Sequence, residues 1–466
     1  MSIKFLQTTA LLRAPAAFHT ANSERLFSGR DLRQLVIPLV LELFLTLLVG
    51  MIDSVMVAGV GEAAVSAISL VDTVMQLIIY LCAALGTGGA IVAGQYLGSG
   101  DRKQACASAR QLLLFAALFS LAATAALLAS KALLLDYFFA QITPQVKDYA
   151  DIYLTITALS VPAIAVYEAA AAVFRAAGNA KVTMYSALLM NAVNIAGNAL
   201  FIYNLHMNTD GAALATVLAR LSAAVMLLYL LTNKQGLLYV SFHDKWHLQK
   251  DMLRKILSVS IPNGVENGMF QLGKILTLGL VSVFGTPAIA ANAATSHLAS
   301  IQVIPGLVIS LAITTVVARC AGKRDYAQAK YYNRLLLFAT YGALFLMGWG
   351  IYLALPLILP LYHFSPQSAG MAQQMLLIHT IGAVLIWPLA FDLPASMRAA
   401  GDVRFPMVVS VISMWSLRIG VAWLLTEYTN IGAAGVWLAM LGDWLLRAAV
   451  FAYRWRSNVW QSKRLI

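Results

Sequence analysis

Apolar residues in this chain come in long unbroken runs rather than in short alternating patterns. A bilayer span takes about 20 such residues, and runs of that order recur twelve times. Their approximate ends are 35–57, 64–96, 107–129, 150–173, 183–203, 211–233, 254–284, 288–318, 332–356, 374–397, 405–426 and 432–453. Each is too long for a strand and predicts a membrane-spanning helix. The longest predict tilt, kinks or extension beyond the lipid.

The polar intervals predict orientation. Lys and Arg gather in the N-terminal segment (Lys4, Arg13, Arg25, Arg30, Arg33), in alternate loops and from Arg447 onward, whereas the opposite loops hold only Lys131 and Lys147. That bias places both termini on the cytoplasmic face of the cell (inner) membrane and makes the number of spans even. Residues 1–24 lack a long apolar core and a small-residue cleavage site, so they read as a loose cytoplasmic tail.

The landmarks then repeat. At an offset of 224, Pro38 and Glu42 of "IPLVLE" meet Pro262 and Glu266 of "IPNGVE", Gly61 of "GEAAVSA" meets Gly285 of "GTPAIAA", and "GSGDRKQA" meets "GKRDYAQA". At 223, "FRAAGNAK" (174–181) meets "MRAAGDVR" (397–404). The pattern predicts an all-α integral membrane protein of two parallel six-helix repeats. The expected divisions are a tail at 1–30, an N-terminal half at 31–233, a cytoplasmic linker at 234–253, a C-terminal half at 254–454 and a basic tail at 455–466. Each half opens on a helix that its proline (Pro38, Pro262) should bend or loosen by removing a backbone hydrogen bond.

Composition agrees: 60% of the residues are hydrophobic and 11% charged. The net charge of +12 is accounted for by topology and calls for no nucleic-acid partner. Cys82, Cys106 and Cys320 form neither a disulfide framework nor a metal motif. No HExxH, Walker loop or GxSxG is present, so an enzyme is not expected.

An ionisable side chain in hydrocarbon costs about 2.5–3.5 kcal/mol on insertion scales, so each one inside a run calls for a reason. Glu42, Thr46 and Asp53 fall within about 40° of one another on a helix of 3.6 residues per turn. Glu42 lies near the cytoplasmic end, where a local ion pair and a gating role both remain open. Asp53 lies deeper, with no basic residue near it in sequence, and the functional reading is favoured. Asn191, Asn194 and Asn198 share one face of the fifth run, although asparagine is also ordinary interhelical glue. Thr216 and Arg220 are one turn apart in the sixth. One carboxylate, amide oxygens and a hydroxyl make a hard oxygen site suited to Na⁺, or to a proton.

The second half carries Asn263, Glu266, Asn267, Lys274, Asn292, Ser296, His297, His379, Trp387, Asp392 and Arg418 inside its runs. Lys274 lies two turns beyond Glu266, too far for a direct pair. It is expected to pair with a carboxylate on another helix, as Arg220 is. The histidines read as core residues with satisfied hydrogen bonds.

Taken in order, "GMIDSVMVAGVGEAAVSA" (50–67), "GGAIVAGQYLGSGDRKQA" (88–105), "FRAAGNAK", "NAVNIAGN", "GAALATVLAR", "IPNGVENGMFQLGKI" and "MRAAGDVR" resemble the multidrug and toxic compound extrusion (MATE) antiporters. The resemblance implies twelve helices in two lobes forming a V with a central cavity, and export of organic cations or drugs against Na⁺ or H⁺. By motif position, the family's first-helix aspartate falls on Asp53, its fifth-helix asparagine on Asn194 and its sixth-helix threonine on Thr216. A second carboxylate common in that site is Asn198 here, which removes one negative charge. Carboxylates used in the second half by another branch do not align cleanly with Glu266 or Asp392. The expected partners are a small organic cation and membrane lipid, with a monomer as the working unit and no cofactor beyond the coupling ion. A flippase for a lipid-linked precursor is the rival, although it would want a strongly cationic cavity. A membrane enzyme or a passive channel is less well supported.

Overall fold

A computed structural model describes residues 25–138, 143–241, 246–362 and 364–466. Asp244 and Lys245 of the linker and the tail through residue 24 lie outside them. Among the described residues there are helices and turns but no strand.

The helices fall into twelve runs that follow the twelve apolar stretches. In the first half these are α1 (Gly29–Ala58), α2 (Glu62–Gly98), α3 (Arg102–Leu133), α4 (Pro144–Ala158 with Val161–Ala176), α5 (Ala180–Asn198) and α6 (Thr209–Leu231). In the second they are α7 (Lys250–Ser282), α8 (Thr286–Gln302 with Ile304–Gly322), α9 (Tyr326–Leu353), α10 (Pro366–Leu385 with Leu393–Ala400), α11 (Arg404–Ser413 with Ala422–Tyr428) and α12 (Ala434–Arg456). Among the described residues eight helices are long and apolar enough to cross a membrane, or ten when each sharply bent pair counts once. The two runs outside that count, α1 and α7, are those with the internal prolines and the carboxylates that follow them. Both continue as helix through Pro38 and Pro262.

The sequence repeat has a local physical cause. Gly61 (φ 130°) and Gly285 (φ 83°) turn the chain into α2 and α8 in a backbone region that a side chain would strain. Asp101 and Asp325 each cap the following helix, accepting from the backbone N–H of Gln104 and Gln328 at 3.0 Å. The fourth run of each half opens on a hydroxyl cap followed by proline, Thr143–Pro144 and Ser365–Pro366. The same runs are the sharply bent ones, by 47° and 59°. Gly178 and Gly401, both at positive φ, end them. What repeats is therefore the punctuation of the helices, because turn geometry tolerates few residue types.

Contacts divide the chain into two compact units, residues 30–264 and residues 265–466 together with the described residues before Arg30. The boundary falls inside α7, between Gly264 and Val265. The linker belongs by its bonds to the first unit: Arg102 donates to the carbonyls of Lys234, Gly236 and Leu237 at 2.8, 2.6 and 3.1 Å. Gln111 brackets the chain at His247 and Gln249. Ser260, on the first turns of α7, donates to the carbonyl of Leu85 at 3.3 Å. In the second unit, Leu26 and Phe27 dock on α9 through Gln328 and Tyr332.

Candidate functional site

In the first unit, α5 and α6 pack with Gly197 against Ala215, where an added Cβ would come to 2.9 Å of the alanine Cβ. That approach aligns the asparagine face of α5 with Thr216. The Nδ2 of Asn194 lies 3.5 Å from Thr216 Oγ1, and that hydroxyl donates to the carbonyl of Ala212 at 3.0 Å. Asn198 donates through Nδ2 to Asp53 of α1, in a short bond, and more weakly to Asn194 Oδ1 at 3.4 Å. Asp53, Asn194, Asn198 and Thr216 thus form one connected set. Asn198 is fully buried, and its Oδ1 has no hydrogen-bond partner. A buried acceptor without a donor is costly, and beside a carboxylate it suits a small cation. Among the described residues no three His, Cys, Asp or Glu gather into a metal centre; the connected set offers carboxylate, amide and hydroxyl oxygens.

The sequence reading missed a second acid. Asp72 of α2 accepts from the buried Tyr153 hydroxyl of α4 at 3.4 Å and lies within electrostatic range of Asp53. It brings a second carboxylate, from another helix, into the neighbourhood of Asp53. It is the one carboxylate in the 64–96 run, and the rule that singled out Asp53 points equally to it. Arg220 acts on both acids. Its expected carboxylate partner is not a hydrogen-bonded one, however: Nη1 donates to Ser160 Oγ at 2.7 Å. The break in α4 between Ala158 and Val161 presents that serine.

The opening glutamates lie in a separate, repeated arrangement. Glu42, only 8% exposed, accepts from Thr183 Oγ1 at 2.6 Å and lies 3.6 Å from Arg175 Nη1. Arg175 also reaches Glu168 at 3.8 Å. Glu266 accepts from Ser410 Oγ at 2.8 Å and from Arg398 Nη1 at 3.0 Å. In both halves the first-helix carboxylate is tied to the arginine of the "RAAG" turn and to a hydroxyl on the fifth helix. A local pair therefore suffices to explain each glutamate.

The second unit carries no copy of the Asp53 set. At the repeat offset of 224, Thr277 stands where Asp53 does, and it donates to its own helix at the carbonyl of Lys274. Asp392 is wholly buried in a π-helical turn and accepts from Thr340 at 2.7 Å. Lys274 does not make the expected carboxylate pair: its ammonium lies over the Phe270 ring, 5.2 Å from the centroid, and Arg418 lies over the same ring at 5.2 Å. Nor is Arg447 a surface charge. It is 2% exposed and bonds Asp443 at 2.8 Å and Ser413 at 2.9 Å. His379 is buried and bonded to Gln302 at 2.7 Å, whereas His297 is exposed.

These arrangements have relatives. The family model described as MatE matches the chain twice, over residues 38–200 and 262–424, a spacing of 224 that coincides with the internal repeat. An uncharacterised transporter of Bacillus subtilis, YisQ, is 26% identical over 91% of this chain and 94% of its own. A probable multidrug resistance protein of Thermotoga maritima, NorM, is 26% identical over 94% of each. A crystal structure of MATE in complex with MaL6 superimposes with a TM-score of 0.85 at 20% identity, covering 93% of this chain and 97% of that one. That likeness shows the all-α, two-lobe fold. With both of its halves matched, the chain belongs to the MatE family of multi-pass membrane transporters.

Proposed function

We propose that this transporter is a secondary antiporter that exports organic cations or drugs in exchange for Na⁺ or H⁺, with Asp53 as the coupling residue. The observation that carries this reading is the connected set of Asp53, Asn198, Asn194 and Thr216, with an orphaned acceptor at Asn198 and a second acid, Asp72, close by. A carboxylate that already holds one amide donor can be neutralised by a proton, by Na⁺ or by a cationic substrate. Occupancy by one weakens the others through the same charge, and that competition makes the exchange obligatory. Arg220, held on Ser160, keeps the pair of acids from carrying its full negative charge unopposed.

Glu42, Glu266, Arg175 and Arg398 serve in this scheme as anchors for the first helix of each half. Pro38 and Pro262 supply the weak point at which that helix bends as access alternates. The protein works as a monomer with both termini in the cytoplasm. A flippase is not favoured, because the polar set of the first half is acidic and one relative, NorM of Thermotoga maritima, bears the name of a probable multidrug resistance protein.

The test is efflux of a fluorescent organic cation from proteoliposomes, with a Na⁺ gradient and a pH gradient imposed separately. Efflux driven by one of them identifies the ion, and Asp53→Asn should abolish it while the protein stays in the membrane. Normal coupled efflux by Asp53→Asn would end the assignment.

A further inference from the structure

The second unit holds a buried positive charge that its own side chains compensate only in part. Arg418 sits in the π-helical turn Met414–Val421 of α11, 8% exposed, with Nε and Nη1 lacking any hydrogen-bond partner. Its nearest acid is Asp443, whose Oδ2 is 4.0 Å from Nη1 and is itself without a bond. Asp443 is already committed through Oδ1 to Arg447. Lys274 adds a second cation on the same Phe270 ring, and among the described residues no carboxylate pairs with it. Two arginines thus share one acid and Lys274 adds a further positive charge beside Arg418, while Glu266 is balanced separately by Arg398. A ring face replaces only part of the hydration that a buried guanidinium gives up. The missing partner is an anion.

The surroundings set its chemical class. Phe270 packs edge-on against Phe391 at 6.3 Å, and Phe391 stacks on Trp387 at 5.1 Å and meets Trp444 at 5.5 Å. A buried guanidinium with unfilled N–H donors at Nε and Nη1 calls for an anionic oxygen such as that of a carboxylate or sulfonate, and the Phe270 ring that both cations share offers an apolar face for an aromatic body. Lys274 is exposed and Arg418 buried, and both lie over the one Phe270 ring. We propose that the C-terminal half binds a small aromatic organic anion through Arg418 and Lys274, with Phe270 beneath it. This site is separate from the Asp53 set and does not rest on the reading of that set.

The probe is 4-nitrobenzoate, with the uncharged 4-nitrobenzamide as control, titrated calorimetrically into the purified full-length protein in lipid nanodiscs. Saturable binding of the benzoate and none of the amide is expected. Lys274→Gln, at an exposed position, should weaken binding at least about tenfold, and Lys274→Arg should restore it to within about threefold. Phe270→Leu, which keeps both charges, should weaken it severalfold. Asp53→Asn should bind as the wild type does, which separates this result from failure of the cation reading. No saturable binding by the wild type, equal binding of the amide, or an unchanged Lys274→Gln would each overturn the proposal.

Discussion

The two halves share their skeleton and differ in their charge. Each has the same capped turns, the same bent fourth run and the same carboxylate–arginine–hydroxyl tie on its first helix. Inside that common frame the first half gathers Asp53 and Asp72 around amides and one arginine, while the second gathers Lys274, Arg418 and Arg447 around aromatic rings and one acid. Duplication preserves what holds the helices in register, because turns and buried ion pairs admit few substitutes. The polar interior is free to diverge, since any buried charge survives if something compensates it. The repeated ion pairs and caps are thus accounted for by structure, and the proposed coupling chemistry lies where the halves disagree.

The largest effect that could break this contrast is at Asp53. Asp53→Asn is expected to remove coupled efflux by two orders of magnitude or more, whereas Thr277→Ala, at the corresponding position, is expected to leave it within about twofold of wild type. Proteoliposome efflux under a fixed ion gradient reads both. Comparable losses would mean that the halves share the coupling role.

Next come the repeated ion pairs. Removing one partner of a buried pair leaves the other uncompensated and costs about 3–5 kcal/mol. Arg398→Ala and Arg175→Ala should therefore lower the midpoint of thermal unfolding in detergent, and Arg175→Ala should do so more, because it leaves both Glu42 and Glu168 without their cation whereas Arg398→Ala leaves only Glu266. Arg398→Ala combined with Glu266→Gln should recover most of the loss. If Glu266→Gln alone keeps full thermal stability but loses transport, the glutamate is a transport residue and the structural reading fails.

A middle-sized effect tests the second acid. Asp72→Asn is expected to weaken, without abolishing, the response of efflux to the imposed ion gradient, because Asp53 keeps its amide partner. Charges this close are not independent, so adding Asp72→Asn to Asp53→Asn should cost little more. Strictly additive losses would place Asp72 outside the site.

Much of this was legible in the sequence. Twelve apolar runs gave twelve helical runs, since hydrocarbon leaves the backbone no alternative to helix. The offset of 224 located the paired turns, and Asp53, Asn194, Asn198 and Thr216 came together as their helix faces suggested. Two things were hidden. Asp72 and Tyr153 sit on helices that periodicity alone does not orient toward Asp53. Arg447, counted as part of a basic flank, is buried because it bonds the acid one turn before it and the serine of another helix. Lys274 deceived in the opposite sense: a lone lysine in an apolar run implies an acid, and an aromatic ring took that place.

The smallest effect sharpens the claim that the shared frame is structural. Asp101→Ala and Asp325→Ala each remove one cap bond of 3.0 Å at the start of α3 and α9. An N-cap of this kind is worth about 1 kcal/mol. Asp325 does more than cap, however, because its second oxygen also holds the Gln328 side chain at 2.8 Å, and Gln328 in turn accepts from the backbone of Leu26. Loss of Asp325 should therefore destabilise somewhat more than loss of Asp101, and only its loss should raise amide exchange at Leu26 and Phe27. Hydrogen exchange with mass readout resolves those positions directly. Equal exchange at Leu26 in both variants would mean that the cap and the docked segment are independent, and that the two halves use this turn identically.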